Sequence, residues 1–323
     1  MKNILTKLID GMPGRKRIIQ HKSDARDGYC KSGARDGRSP VNSPFAPPPN
    51  TIPEGLINEY AMNGKMDVLY WFCDDRIFSN ERLHNDKKIY NRVFQQLRAG
   101  AFRYYGKEGE ALLQALENYP IKEKEVIIWG LAGCNCEAMA VWKGANKVYV
   151  VEYNKPVCDH ERIEVMNHEE IAQRAIRADF AISYSSFEHD GLGRYGDPLL
   201  PNGDIHAMRE AHKFLKNDGI LFLGVPLGKD CIVWNAHRIY GENRLPLLLK
   251  GWRLLDVFDN NIKNSPEYPF DLLLGNYIQN VMVLKKIADD FPDDEYLLGE
   301  KIEQRNIICE RINRKIYEFK QLS

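Results

Sequence analysis

The chain lacks a net charge: its 323 residues carry 45 Lys+Arg against 45 Asp+Glu. No long-range field therefore draws it to nucleic acid or to an anionic membrane. It also lacks any run of ~18 apolar residues, the length needed to cross a bilayer. Residues 1 to 10 are too short and too interrupted to be a signal-peptide core. No Cys-x-x-Cys pair and no His-Glu-x-x-His motif is present, so no metal site is expected. The seven cysteines are odd in number and mostly lie in or beside apolar runs, which reads as reduced thiols in a cytoplasmic protein.

Periodicity is missing from residues 13 to 50 as well. Gly, Ser, Asp and Arg dominate, Ala-Arg-Asp-Gly occurs at 25–28 and again at 34–37, and Pro47-Pro48-Pro49 closes the stretch. Residues 1–50 read as a basic tail and linker. Residues 51–120 read as a helical cap or extension, because Ile89, Val93, Phe94 and Leu97 recur on one helical face. Packing support is the plainer role for it. Residues 121–287 carry the core, and 288–323 are charged and end in a helix expected to pack or to form a homo-oligomer.

What the chain does have is a run of short apolar strands alternating with helices. Strands are expected near 125–130, 147–153, 162–166, 179–185, 219–226, 252–258 and 277–285. Helices are expected near 135–143, 168–176, 204–216 and 236–249, with Asp204 as an N-cap and Asn217-Asp218-Gly219 as a stop. Alternation of this kind implies an α/β fold with a parallel sheet covered on both faces. The last two strands have no helix between them and are expected to pair antiparallel. Five parallel strands plus a C-terminal antiparallel hairpin make a Rossmann-like seven-stranded sheet. That arrangement resembles the core of class I S-adenosylmethionine-dependent methyltransferases.

The first strand runs into Gly130-Leu131-Ala132-Gly133-Cys134, and the second ends in Glu152, 22 residues beyond Gly130. Small residues let a backbone approach a ligand, and a carboxylate at that place accepts both hydroxyls of a ribose. Gly130, Ala132, Gly133, Glu152 and Ser185 are the expected cofactor-binding residues. The loop departs from the methyltransferase glycine pattern. Trp129 stands near the place of the usual strand acid, and Ala132 and Cys134 replace glycines. It is not Gly-x-Gly-x-x-Gly either, and no Tyr is followed four residues later by Lys, so S-adenosylmethionine is preferred over a nicotinamide cofactor.

The fourth strand delivers Ser185-Ser186-Phe187-Glu188-His189-Asp190, then Gly191-Leu192-Gly193-Arg194-Tyr195-Gly196-Asp197-Pro198. This long motif resembles the family catalogued as domain of unknown function 268. Glu137-Ala138-Met139-Ala140, Val151-Glu152-Tyr153-Asn154 and Asn235-Ala236-His237-Arg238-Ile239-Tyr240-Gly241 support the resemblance in the same order. The likeness covers roughly residues 60 to 285. It implies a methyltransferase-like fold and the company of surface-polysaccharide genes, and it brings no settled catalytic residues.

His189 is the candidate base, because a histidine titrates near neutrality. Glu188 is expected to orient it or to bind the cofactor. Arg194, Tyr195 and Asp197 are candidates to hold the acceptor, as are His237, Arg238 and Tyr240, with an arginine suited to an anionic group. The expected function is O-methylation of a small-molecule or glycan substrate. A non-catalytic binding scaffold and a sugar-nucleotide enzyme are the alternatives.

Overall fold

The computed structural model describes residues 18–19, 47–76, 84–102, 109–130, 134–153, 155–258 and 273–287. Residues 1–17 and 20–46 of the expected tail and the C-terminal helix expected within 288–323 lie outside them. The strands are β1 (Ile18–Ile19), β2 (Asp67–Trp71), β3 (His84–Asn85), β4 (Glu125–Trp129), β5 (Lys147–Val151), β6 (Val157–Cys158), β7 (Ile163–Met166), β8 (Ala178–Tyr184), β9 (Leu215–Gly224), β10 (Leu227–Gly228), β11 (Cys231–Asn235), β12 (His237–Ile239), β13 (Trp252–Phe258), β14 (Tyr277–Ile278) and β15 (Val281–Lys286). The α-helices are α1 (Ile57–Tyr60), α2 (Lys87–Arg98), α3 (Gly109–Asn118), α4 (Asn135–Trp142), α5 (His168–Gln173), α6 (Gly203–Lys213) and α7 (Leu245–Leu248).

The main sheet has the order β13-β15-β9-β8-β4-β5-β7. β7, β5, β4, β8 and β9 run parallel, and β15 slots antiparallel between β9 and β13. This is the seven-stranded Rossmann-like arrangement that the resemblance implied. Both faces are covered, and β4 shows why. Val126 and Ile128 join one apolar cluster with Leu112, Leu116 and Met139. Ile127 and Trp129 join the other with Met208, Phe214 and Leu245. A strand whose successive side chains are all apolar must find a hydrophobic layer on each side. The helices α2 and α3 serve as such a layer: Tyr90, Val93, Leu112 and Leu116 are packed against the sheet.

The segment expected to be helical over 51–120 also contains two strands, β2 and the short β3. β2 pairs parallel with β11, in register from Asp67↔Cys231 to Trp71↔Asn235, in a second sheet of order β1-β2-β11-β12. The expected helix over 236–249 is therefore cut down to α7. Cys231-Ile232-Val233-Trp234 is buried on both faces, with Ile232 and Trp234 in one cluster and Cys231 and Val233 in another. β-branched side chains in such a setting favour a strand.

Two smaller corrections concern α6. The residue at its N-cap position is Asn202, not Asp204, which lies inside the first turn. The stop comes at Phe214, and Asn217-Asp218-Gly219 instead forms an irregularity within β9, where the register against β8 slips between Ala178 and Phe180. Asp218 takes φ 64° there.

Candidate active site

In the chain's path β4→β5→β7 runs one way across the sheet and β8→β9 the other, so the switch point lies between β4 and β8. Ligands on open α/β sheets bind at that crevice, beyond the carboxyl ends of the strands. The two strand ends touch. Gly130 has φ 75°, and a Cβ on it would lie 2.1 Å from Ser186 Oγ. Ala132 and Gly133 lie outside the described residues. Glu152 stands just past β5; its amide donates to Met166 O (3.1 Å), and its carboxylate accepts from the Tyr153 amide (2.9 Å). The Tyr153 ring is 63% exposed and stacks on His168 at 4.4 Å.

The turn after β8 is tightly determined. Ser185 has φ 54°, donates its amide to Gly224 O (2.8 Å) and its hydroxyl to Glu188 Oε1 (3.0 Å). Glu188 is 1% exposed, and its Oε2 has no hydrogen-bond partner. Burial pushes its carboxyl up to about 7, against the pull of its hydrogen bonds and of the Arg194 charge. His189 Nδ1 lies 2.6 Å from Ala236 O. A carbonyl only accepts, so Nδ1 carries the proton and a neutral ring keeps its lone pair on Nε2. That nitrogen is 3.8 Å from Glu188 Oε1. Burial, then the Arg194 and His237 charges, hold the ring well below the usual histidine range.

The next loop spells Gly-x-Gly-x-x-Gly at 191–196. It follows a single 3-10 turn (Phe187–His189) rather than a strand and does not open a helix. Its glycines all have positive φ (81°, 74° and 93°) and fold around Asp197. Asp197 accepts from the amides of Gly191 (2.8 Å), Gly193 (3.0 Å) and Tyr195 (3.2 Å). The loop thus binds its own carboxylate where a phosphate would sit in a dinucleotide site. Asp197 is engaged inside the loop, whereas sequence had offered it to the acceptor.

Arg194 donates from Nε to Asp75 Oδ2 (2.6 Å) and from Nη1 to Ala236 O (3.0 Å), the carbonyl that also holds His189. Tyr195 is 37% exposed beneath that guanidinium and edge-on to His189 at 5.7 Å. His237 stands edge-on to both His189 (6.4 Å) and Tyr277 (5.3 Å). Its Nε2 has no partner, and burial followed by the Arg194 charge lowers it to about 4. These four rings form a row along the site.

Arg238 and Tyr240 lie elsewhere. Arg238 is fully buried and reaches carbonyls at both ends of the loop: Glu188 O (3.3 Å), Asp190 O (2.6 Å), Leu200 O (3.4 Å) and Pro201 O (3.1 Å). Tyr240 donates to Asp204 Oδ2 (3.0 Å), and Arg244 grips both Asp204 oxygens (2.8 and 2.5 Å). Burial opposes ionisation of Asp204, and the Arg238 and Arg244 charges overcome it, holding the carboxyl below its usual range. The guanidinium expected to meet an anionic acceptor is committed to the loop itself.

Sequence reasoning missed Asp75, Tyr60 and Trp234. Tyr60 donates to Gly191 O (2.5 Å) and Trp234 to Pro49 O (3.0 Å). These contacts span 131 and 185 residues, so no local pattern announces them. Among the described residues no group of three or more His, Cys, Asp or Glu is arranged to hold a metal ion.

The model of the family described as "Caenorhabditis protein of unknown function, DUF268" matches residues 123–287, from the start of the main sheet to its last strand. The chain belongs to the DUF268 family. Asp75 and β2 lie before the part that the family model covers. No curated protein matches the chain. Among solved structures it is similar to Burkholderia thailandensis 1,6-didemethyltoxoflavin-N1-methyltransferase, with 16% identity, 62% of this chain and 88% of that one covered, and a TM-score of 0.43. It is also similar to TrmN from Thermus thermophilus, with 16% identity, 55% and 48% covered, and a TM-score of 0.32.

Proposed function

We propose that this DUF268 protein is an S-adenosylmethionine-dependent methyltransferase working in the cytoplasm on an oxygen acceptor, a sugar or glycan precursor. The observation that carries the reading is the meeting, at the switch point of the sheet, of a nucleoside-type edge with a neutral imidazole. Glu152 offers a carboxylate to a ribose diol, beside Gly130 and Ser185. The donor set suits an adenosyl ligand with an amino-acid tail, since the unpartnered Glu188 Oε2 calls for a cation.

The cofactor, when bound, supplies an activated methyl group. The chain's own residues bind, orient and take a proton. His189, with Nδ1–H held by Ala236 O, has its Nε2 lone pair for the acceptor hydroxyl. Tyr195 and His237 flank it and hold the acceptor, while Arg194 fixes the carbonyl that aims the ring. Arg238, Tyr240 and Asp197 build the loop on which these groups stand. Dimerisation through 288–323 remains part of the proposal.

Calorimetric titration with S-adenosylhomocysteine tests the reading, with NAD and a nucleoside diphosphate sugar as controls. Micromolar binding of S-adenosylhomocysteine alone supports it. Binding of the nucleotide sugar alone moves the protein to sugar-nucleotide chemistry. Binding of none by folded protein favours a scaffold, a reading encouraged by Ile128 and Trp129, which are apolar and buried at the end of β4. His189→Ala is expected to abolish turnover and to leave cofactor affinity intact.

A further inference from the structure

Five carboxylates are buried among the described residues: Asp75, Glu137, Glu188, Asp204 and Asp230. Asp75 is paired with Arg194, and Asp204 with Arg244 and Arg238. Asp230 accepts from the amides of Gly241, Asn243 and Arg244. Glu137 meets Asn85 and Tyr90, away from the turn after β8. Glu188 alone of the five stands in that turn, and it has an oxygen with nothing to accept from. A buried acceptor in that state costs free energy unless a ligand supplies the donor.

Its position narrows the ligand. Ser186, two residues earlier, presses against Gly130, so Glu188 belongs to the turn that meets the end of β4. Glu152 caps β5, on the far side of β4 from β8. The ends of β5 and β8 are two strand spacings apart, roughly 10 Å. A nucleoside with an amino-acid tail bridges such a span. β4 itself ends in Ile128-Trp129-Gly130 with no acid to receive that tail.

We propose that Glu188 is the partner of the cofactor's α-ammonium, in place of the acid that β4 lacks. The inference rests on the adenosyl reading above and assigns the methionine-tail end of that same site. The ion pair also bears on the neighbouring base: an ionised Glu188, 3.8 Å from His189 Nε2, makes that nitrogen a better proton acceptor.

The test compares two ligands, S-adenosylhomocysteine and 5′-methylthioadenosine, which shares the nucleoside and sulfur and lacks the tail. Both are titrated into wild type and Glu188→Gln at pH 7, in two buffers of different ionisation enthalpy. Wild type is expected to prefer S-adenosylhomocysteine by about tenfold or more, and Glu188→Gln to lose about 10- to 100-fold for it alone. Binding 5′-methylthioadenosine with unchanged affinity shows that the variant's fold is intact. Burial raises the Glu188 carboxyl to about 7, so whatever fraction is protonated at that pH is released on pairing in wild type and has no counterpart in the variant.

Equal loss for both ligands, or no loss for S-adenosylhomocysteine, overturns the proposal. Wild type that binds the two ligands equally well overturns it and leaves the adenosyl reading standing. Folded wild type that binds neither removes both.

Discussion

The two ends of the 188–204 loop solve the same problem in opposite ways. At the Asp204 end a fully buried carboxylate meets Arg238, Arg244 and Tyr240, and its ionised form is favoured. At the Glu188 end a carboxylate just as buried accepts from the Ser185 hydroxyl, keeps an idle Oε2, and is pushed up to about 7 by burial. A saturated buried charge fastens a fold. An unsaturated one either holds a proton or leaves an acceptor for a ligand's donor. The difference separates the loop's foundation from its working end.

Arg238→Met attacks the foundation and should have the largest effect. It leaves Asp204 with one guanidinium fewer and takes the guanidinium donor from the Glu188 and Asp190 carbonyls, so a loss of about 3–5 kcal/mol is expected in a urea titration. An unchanged midpoint would break the comparison at its strong end. The pH dependence follows the same logic. Asp204 has a folded-state value below its ordinary 3.8, so its stabilisation is fully present above that pH and disappears as pH falls through the lower folded value.

The unsaturated class behaves inversely, and Glu137 isolates the effect away from the loop. It is fully buried in α4, with Oε2 unpartnered, and burial raises it from 4.5 to about 8. Across that window the folded state keeps a proton that the unfolded state has lost. Stability should therefore fall as pH rises, by up to ~1.4 kcal/mol per unit. Glu137→Gln removes the slope and should gain on wild type between pH 5 and pH 8, measured as paired urea midpoints. Parallel curves would show that the carboxyl is satisfied after all.

Glu152 provides a contrast from the open edge. Glu152→Ala should weaken S-adenosylhomocysteine by about 10- to 100-fold, the worth of hydrogen bonds to a charged acceptor, with little change in Tm. A large fall in Tm would make Glu152 a foundation residue. The smallest effect should come from Asn167→Ala. It opens the capping box in which Asn167 Oδ1 and the Glu170 carboxylate receive each other's amides (both 2.8 Å), at about 1 kcal/mol in a thermal melt.

Much of this molecule is legible in one dimension. Val126-Ile127-Ile128-Trp129 is apolar at every position, and such a strand requires two hydrophobic layers, which specifies a covered parallel sheet. The last two expected strands, read in sequence with no helix between them, announce an antiparallel pair, and β15 does pair antiparallel with β13. Gly130, Glu152 and Glu188 follow, because strand ends in such a sheet are where a ligand edge lies. These features are local or periodic, so the order of residues alone determines them.

Pairing across the fold is different. β2 becomes a strand only by lying beside β11, more than 160 residues away. Gly191-Leu192-Gly193-Arg194-Tyr195-Gly196 spells a phosphate cradle and folds around Asp197 instead. Arg238 reads as an anion receptor and is a buried staple, while Asp204 reads as a helix cap and is its counter-ion. In each case the same residue type serves either role, and burial together with long-range partners decides between them. A charge or a glycine run states what a residue is able to bind, and only the tertiary structure determines whether the protein has already bound it to itself.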